Sequence, residues 1–154
     1  MNNANNDTYH GLQSVRKERK INMKYGELLE NVAYEICEHL PWFEHSSQED
    51  DRKKGIDFYC NRIPMDITLS IERKTRNLKD KKKSFKCCES FVVNLFIRTG
   101  NKYGEYEQPV VVVQVETLND ITKSSARNIV KTMLEHNIFT DQAVDFWLEN
   151  VEEE

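Results

Sequence analysis

Gly55-Ile56-Asp57-Phe58-Tyr59-Cys60-Asn61-Arg62-Ile63-Pro64-Met65-Asp66-Ile67-Thr68 is the stretch that decides the fold of this chain. Two short runs with strand character flank Asn61-Arg62. A tight turn centred on that pair joins them as an antiparallel hairpin, in which residues equidistant from the turn stand opposite each other. Asp57 and Asp66 then become cross-strand neighbours. Two adjacent carboxylates repel unless a proton or a cation lies between them, and a hard divalent cation such as Mg²⁺ suits such an oxygen pair. The second arm alternates cleanly: Ile63, Met65, Ile67, Leu69 and Ile71 face one way, and Asp66, Thr68 and Ser70 the other. Asp66 is therefore expected on the face away from the core, or at a cleft. Plain structural roles compete for both acids. Asp57 can serve as a strand-entry residue after Gly55. Asp66 can form a surface salt bridge with Arg62 or Lys54, worth only ~0–1 kcal/mol.

Upstream of the hairpin, residues 22–40 read as an amphipathic helix. Tyr25, Leu28, Leu29, Val32, Ile36 and Leu40 follow the helical period, and Pro41 ends it. Glu30 falls on the flank of that stripe, near Gly26, Ala33 and Cys37, where it can reach the edge of a buried site. Trp42–Ser47 reads as a first strand, and Ile56–Cys60 and Ile63–Ile71 as the two arms. Downstream, residues 72–89 are a lysine-rich loop or short helix. Phe91–Thr99 is a strand, residues 100–104 a turn, and Val110–Val115 a β-branched strand covered on both faces. Thr122–His136 and Asp141–Val151 read as helices, the latter with Val144, Trp147, Leu148 and Val151 on one face. Trp42, Phe43, Phe91, Phe96, Phe146 and Trp147 are assigned to the core. The expected architecture is α/β: a mixed five-stranded sheet flanked by helices.

The 154 residues, 38% of them apolar, suit a single domain. It is expected over residues 21–151, between a flexible polar and basic segment (1–20) and an acidic tail (152–154). No apolar run approaches the ~20 residues of a membrane helix, and Met1–Asp7 has neither the basic start nor the apolar stretch of a signal peptide. A cytoplasmic protein without a membrane partner is expected. The four cysteines include no Cys-x-x-Cys, and the four histidines make no zinc pattern, so the thiols are read as reduced and structural.

The net charge of −4 conceals an uneven distribution. Glu72–Lys86 holds eight Lys/Arg against two acids, and Glu135–Glu154 holds seven acids and no Lys/Arg. Such asymmetry marks either a polyanion-binding surface or a solvated loop and an acidic helix end.

Together, a helix glutamate and an aspartate on either side of a turn are the parts that metal-assisted phosphodiester hydrolysis needs: carboxylates to hold metal, metal to polarise the phosphoryl oxygen and activate water, and a lysine to steady the developing charge. At these residues the chain resembles the PD-(D/E)XK nuclease superfamily, the restriction-endonuclease-like fold with a core of αβββαβ type. Gly26-Glu27-Leu28-Leu29-Glu30 matches its Gly-x-x-x-Glu helix, Gly55-Ile56-Asp57 its first acidic strand, and Asp66-Ile67-Thr68 its acidic-x-Lys. The match spans roughly residues 22–72, about a third of the chain. The resemblance implies that Glu30, Asp57, Asp66 and the backbone carbonyl of Ile67 bind Mg²⁺ or Mn²⁺. It also implies a nucleic-acid substrate, DNA favoured, with Arg73, Lys74, Arg76, Lys79, Lys81, Lys82, Lys83 and Lys86 as phosphate contacts.

Thr68 departs from the pattern, because the family's lysine belongs there. Lys74 has the right strand parity, but eight residues at ~3.3 Å each put it ~26 Å away. The register Glu72-Arg73-Lys74 lies well past Asp57. Lys54, Lys53 or Lys24 supplies the charge if the lysine is relocated, with Lys54 the catalytic candidate. The helix expected between the third and fourth strands is a second departure, since residues 76–89 offer only a short one. Two other functions stay open. One is an inactive nuclease-fold module that binds nucleic acid or a protein partner; in either case a protein partner or a homodimer stays open. The other is an unrelated α/β partner whose C-terminal acids mimic DNA charge.

Overall fold

The computed structural model describes residues 27–49, 55–69, 78–99 and 109–151, with the side chains of 78–80 left aside. Segments 1–20, 100–104 and 152–154, and Lys24, Gly26, Lys53, Lys54, Glu72, Arg73, Lys74 and Arg76, lie outside the described residues, as does the side chain of Lys79.

A helix, α1, covers residues 27–37. Three strands follow, β1 (Phe43–His45), β2 (Phe58–Cys60) and β3 (Ile63–Thr68), then β4 (Leu78–Phe85), β5 (Phe91–Arg98) and β6 (Val110–Thr117). The helix α2 (Lys123–Glu135), a π-helical turn (Ile138–Gln142) and α3 (Ala143–Asn150) complete the described chain. The sheet has six strands in the order β1-β2-β3-β6-β5-β4. Only β3 and β6 are parallel.

The hairpin turns where the sequence places it. Phe58 pairs with Met65, Tyr59 with Pro64 and Cys60 with Ile63. Asn61 (φ 52°) and Arg62 (φ 68°) both take left-handed backbone, the geometry that matches the twist of a two-residue hairpin.

The sixth strand is a correction. Leu78–Phe85 is not a loop or helix but the edge strand β4, antiparallel to β5, with an irregularity between Leu78 and Lys82. An edge strand makes one ladder only, and lysines there keep water on the open side and discourage further pairing. A run such as Lys81-Lys82-Lys83 is compatible with a strand for that reason, although it carries no apolar alternation.

One apolar layer holds the molecule together. Met65 and Ile67 of β3, Val93, Leu95 and Ile97 of β5, and Val111, Val113 and Val115 of β6 pack with Leu29, Val32 and Ala33 of α1, with Val130 and Met133 of α2, and with Phe146 of α3. The helices thus cover one face of the sheet. Phe58 meets Phe139 edge to face at 5.8 Å, tying β2 to the π-helical turn. On α3 the buried residues are Ala143 and Phe146, and Leu148 is half exposed, so the stripe read from the sequence is rotated. Phe43, Phe91 and Phe146 are core, Trp42 and Trp147 pack against it, and Phe96 lies half-buried on the opposite face.

That opposite face is different in kind. Paired residues of neighbouring strands project to the same side. Asp66 aligns with Val112 and Val112 with Phe96, while Arg98 aligns with Val110. The buried polar and charged side chains among the described residues, Asp66, Asn94, Arg98 and Gln114, all belong to this second face.

Candidate metal centre

β2 begins at Phe58, one residue after Asp57 of the predicted acid pair. Asp57 still meets β3, in another way. Its N–H donates to the Met65 carbonyl at 2.8 Å, and its carboxylate oxygen Oδ2 accepts the Ile67 N–H at 2.9 Å. A side-chain oxygen thus takes over from the main chain where the ladder stops. The Asp57 carbonyl accepts from the Tyr34 hydroxyl of α1 and from Ser46 Oγ at 3.1 Å. Main chain and carboxylate are both held, so the acid stays beside β3.

The Asp57 carboxyl feels the Asp66 carboxyl across the hairpin, through its charge. Burial, then the charges of Asp66 and Glu30, push the Asp57 carboxyl far above the ordinary carboxylate range, against the opposing pull of the Ile67 N–H. Glu30 is on the side of α1 that bears Ala33, Tyr34 and Cys37, at offsets of three, four and seven residues. The buried stripe of α1 runs through Leu29, Val32, Ala33 and Cys37, and Glu30 lies half-buried beside it. Its influence on Asp57 is through charge. Among the described residues no three His, Cys, Asp or Glu side chains are near enough together to form a ready metal cage. The three-acid arrangement implied by the resemblance is here a close pair with a third charge nearby.

Asp66 is on the predicted side of β3 but is almost fully buried, at 2% exposure. Its cationic partner among the described residues is not Arg62, and Lys54 lies outside them. Arg98, at the end of β5, donates from Nη1 to Asp66 Oδ2 at 2.6 Å and from Nη2 to the Gly55 carbonyl at 3.1 Å. Sequence reading did not find this residue. Its signal was the alternation of 91–98, which puts Val92, Asn94, Phe96 and Arg98 opposite the apolar Phe91, Val93, Leu95 and Ile97.

Thr68 aligns with Gln114, and Gln114 with Asn94. A hydrogen-bonded row runs along this line. Ser84 Oγ donates to Asn94 Oδ1 at 2.5 Å, Asn94 Nδ2 to Gln114 Oε1 at 2.7 Å and to Glu116 Oε1 at 3.0 Å, and Gln114 Nε2 to the Leu69 carbonyl at 3.0 Å. Position 68 therefore borders a row of amide and hydroxyl groups that also reaches the Glu116 carboxylate.

The lysines of β4 divide between faces. Lys82 aligns with Phe96 and, through Val112, with Asp66, whereas Lys83 aligns with Leu95 on the helix-covered side. Lys81 and Lys86 are exposed. The cysteines are free thiols. Burial pushes Cys37 up to about 11 and raises Cys60 further, which keeps both protonated.

The Asp57 and Asp66 carboxyl groups and the N–H and carbonyl of Ile67 lie together, since both Ile67 groups point to the side of β3 that faces Asp57. Arg98 holds one of the four carboxylate oxygens of this pair. No helix among the described residues is long and apolar enough to cross a membrane. No family model, curated protein or solved structure matches the chain.

Proposed function

We propose that this protein is a metal-dependent nuclease of PD-(D/E)XK type that hydrolyses phosphodiester bonds in nucleic acid, DNA favoured. The observation that supports it is the Asp57–Asp66 pair, two acids brought together across the open end of a hairpin, with Asp57 fixed by β3 and α1. In this reading Asp57, Asp66 and the Ile67 carbonyl hold Mg²⁺ or Mn²⁺, with Glu30 contributing charge or a ligand. The bound ion supplies polarisation of the phosphoryl oxygen and a more acidic water. The chain's own residues do the rest. Main-chain bonds keep Asp57 in place, burial keeps Asp66 from turning to solvent, and Lys82 offers a phosphate contact on the Asp66 side of the sheet.

To test this, purified protein is incubated with single- and double-stranded DNA and RNA, with Mg²⁺ or Mn²⁺. The expected result is cleavage by the wild type and a loss of about 10²-fold or more in Asp57→Ala, the scale on which removing a group that organises the reacting centre acts. Absence of any cleavage, together with identical Mn²⁺ binding by both proteins, would sink the proposal.

A second reading, an inactive nuclease-fold module that binds nucleic acid or a protein, is favoured by two specific observations. Thr68 replaces the lysine, and Arg98 already occupies Asp66 Oδ2. Salt-sensitive DNA binding without product, unaffected by Asp57→Ala, is its expected signature.

A further inference from the structure

The inference that follows rests on the nuclease reading. We propose that Arg98 is the built-in positive charge of the acid pair, a positioning residue on β5 that takes over the part position 68 leaves unfilled.

Three observations carry it. Arg98 is a charged side chain with only 7% exposure, on the same face as Asp66 and separated from β3 by one strand, since Arg98 aligns with Val110 and Asp66 with Val112. Its two terminal nitrogens bridge the arms that carry the acids, Nη1 on Asp66 Oδ2 and Nη2 on the Gly55 carbonyl, two residues before Asp57. Gly55 has φ +68°, and a Cβ there would stand 3.0 Å from Arg98 Nη2. The glycine of Gly-Ile-Asp thus both adopts a backbone that side chains disfavour and leaves room for the guanidinium.

A fixed charge in this place acts in two opposite ways. It repels a divalent cation bound by the same carboxylate, and it attracts the negative charge that grows on a phosphoryl group in the transition state. Removing the charge while keeping a hydrogen bond to Asp66 should strengthen cation binding and slow hydrolysis. A merely structural arginine would weaken both together, or neither.

The experiment compares the full-length wild type with Arg98→Gln and Arg98→Lys. Folding is followed by circular dichroism, Mn²⁺ affinity by electron paramagnetic resonance, and cleavage of a labelled oligonucleotide, single-stranded and duplex, in Mn²⁺. For Arg98→Gln we expect several-fold tighter Mn²⁺ binding and a kcat lowered about 10²–10³-fold with little change in KM. Arg98→Lys keeps the charge and is expected within roughly tenfold of the wild-type kcat. Wild-type turnover in Arg98→Gln, or weaker Mn²⁺ binding in that folded variant, overturns the proposal. If Arg98→Gln does not fold, Arg98→Lys decides: a folded lysine variant as slow as ~10³-fold below wild type overturns it. A wild type that neither binds Mn²⁺ nor cleaves takes the nuclease reading and this inference down together. A wild type that does both, with Arg98→Gln its equal, removes only Arg98.

Discussion

At Asp57 the decisive quantity is the proton that its carboxyl retains. Its carboxyl is held well above the usual value because burial and the Asp66 and Glu30 charges all disfavour ionisation. The folded state therefore binds a proton that the unfolded chain gives up between the ordinary aspartate value of 3.8 and about 9. Stability from this source is complete below that window and falls as pH rises through it. Asp57→Asn cannot ionise, so its urea stability should fall less between mildly acidic and alkaline pH than that of the wild type. It should be the more stable protein at the alkaline end, by ~1 kcal/mol or more. A saturating divalent cation should flatten the wild-type profile, since the ion replaces the proton. Parallel profiles for both proteins would contradict the retained proton on Asp57. The acid pair itself was legible, because turn arithmetic depends only on local residues. Arg98 was not, because strand alternation assigns a face but not which strand will lie near β3.

On the level of elements, the same limit recurs. Turn, helix periods and the valine run of β6 are local signals and were readable. β4 was not, since an edge strand of lysines lacks the alternation that burial imposes on an inner strand. The hairpin turn keeps one local cost that a substitution can remove. Arg62 is exposed, with φ 68°, a conformation that costs a residue with a side chain ~1–2 kcal/mol. Arg62→Gly creates Asn-Gly, the favoured pair for this turn, and should raise urea stability by roughly 0.5–1 kcal/mol after the added entropy of the unfolded glycine. The amide row makes the opposite prediction. Asn94→Ala leaves Gln114 Oε1 and Ser84 Oγ without their partner in Asn94, and should cost about 1–3 kcal/mol in the same assay. A lysine at position 68 would border this row, which gives a physical context for threonine there.

Across the whole molecule, the sheet separates two electrostatic surroundings that the sequence shows only as a basic run followed by an acidic one. The acids Asp145 and Glu149 are carried by α3, which packs through Ala143 and Phe146 onto the helix-covered face. Lys83 belongs to that face, with its ammonium 5.6 Å from the Phe85 ring centre. Lys82 projects to the other face, in one row with Asp66. An anionic strand on the Asp66 side of the sheet can reach the exposed Lys82 without passing the acids of α3, whereas an approach to Lys83 is from the side that carries them. The two neighbours, equal in the sequence, should therefore differ in DNA binding. Fluorescence anisotropy over a salt series with Lys82→Gln is expected to show weaker binding to duplex DNA and a salt slope shallower by about 0.9, the value of one lost phosphate contact. Lys83→Gln should leave the slope within error of wild type. Equal losses in both variants would mean that the basic edge acts as an unstructured cloud of charge, and the row from Lys82 to Asp66 would then have no part in binding.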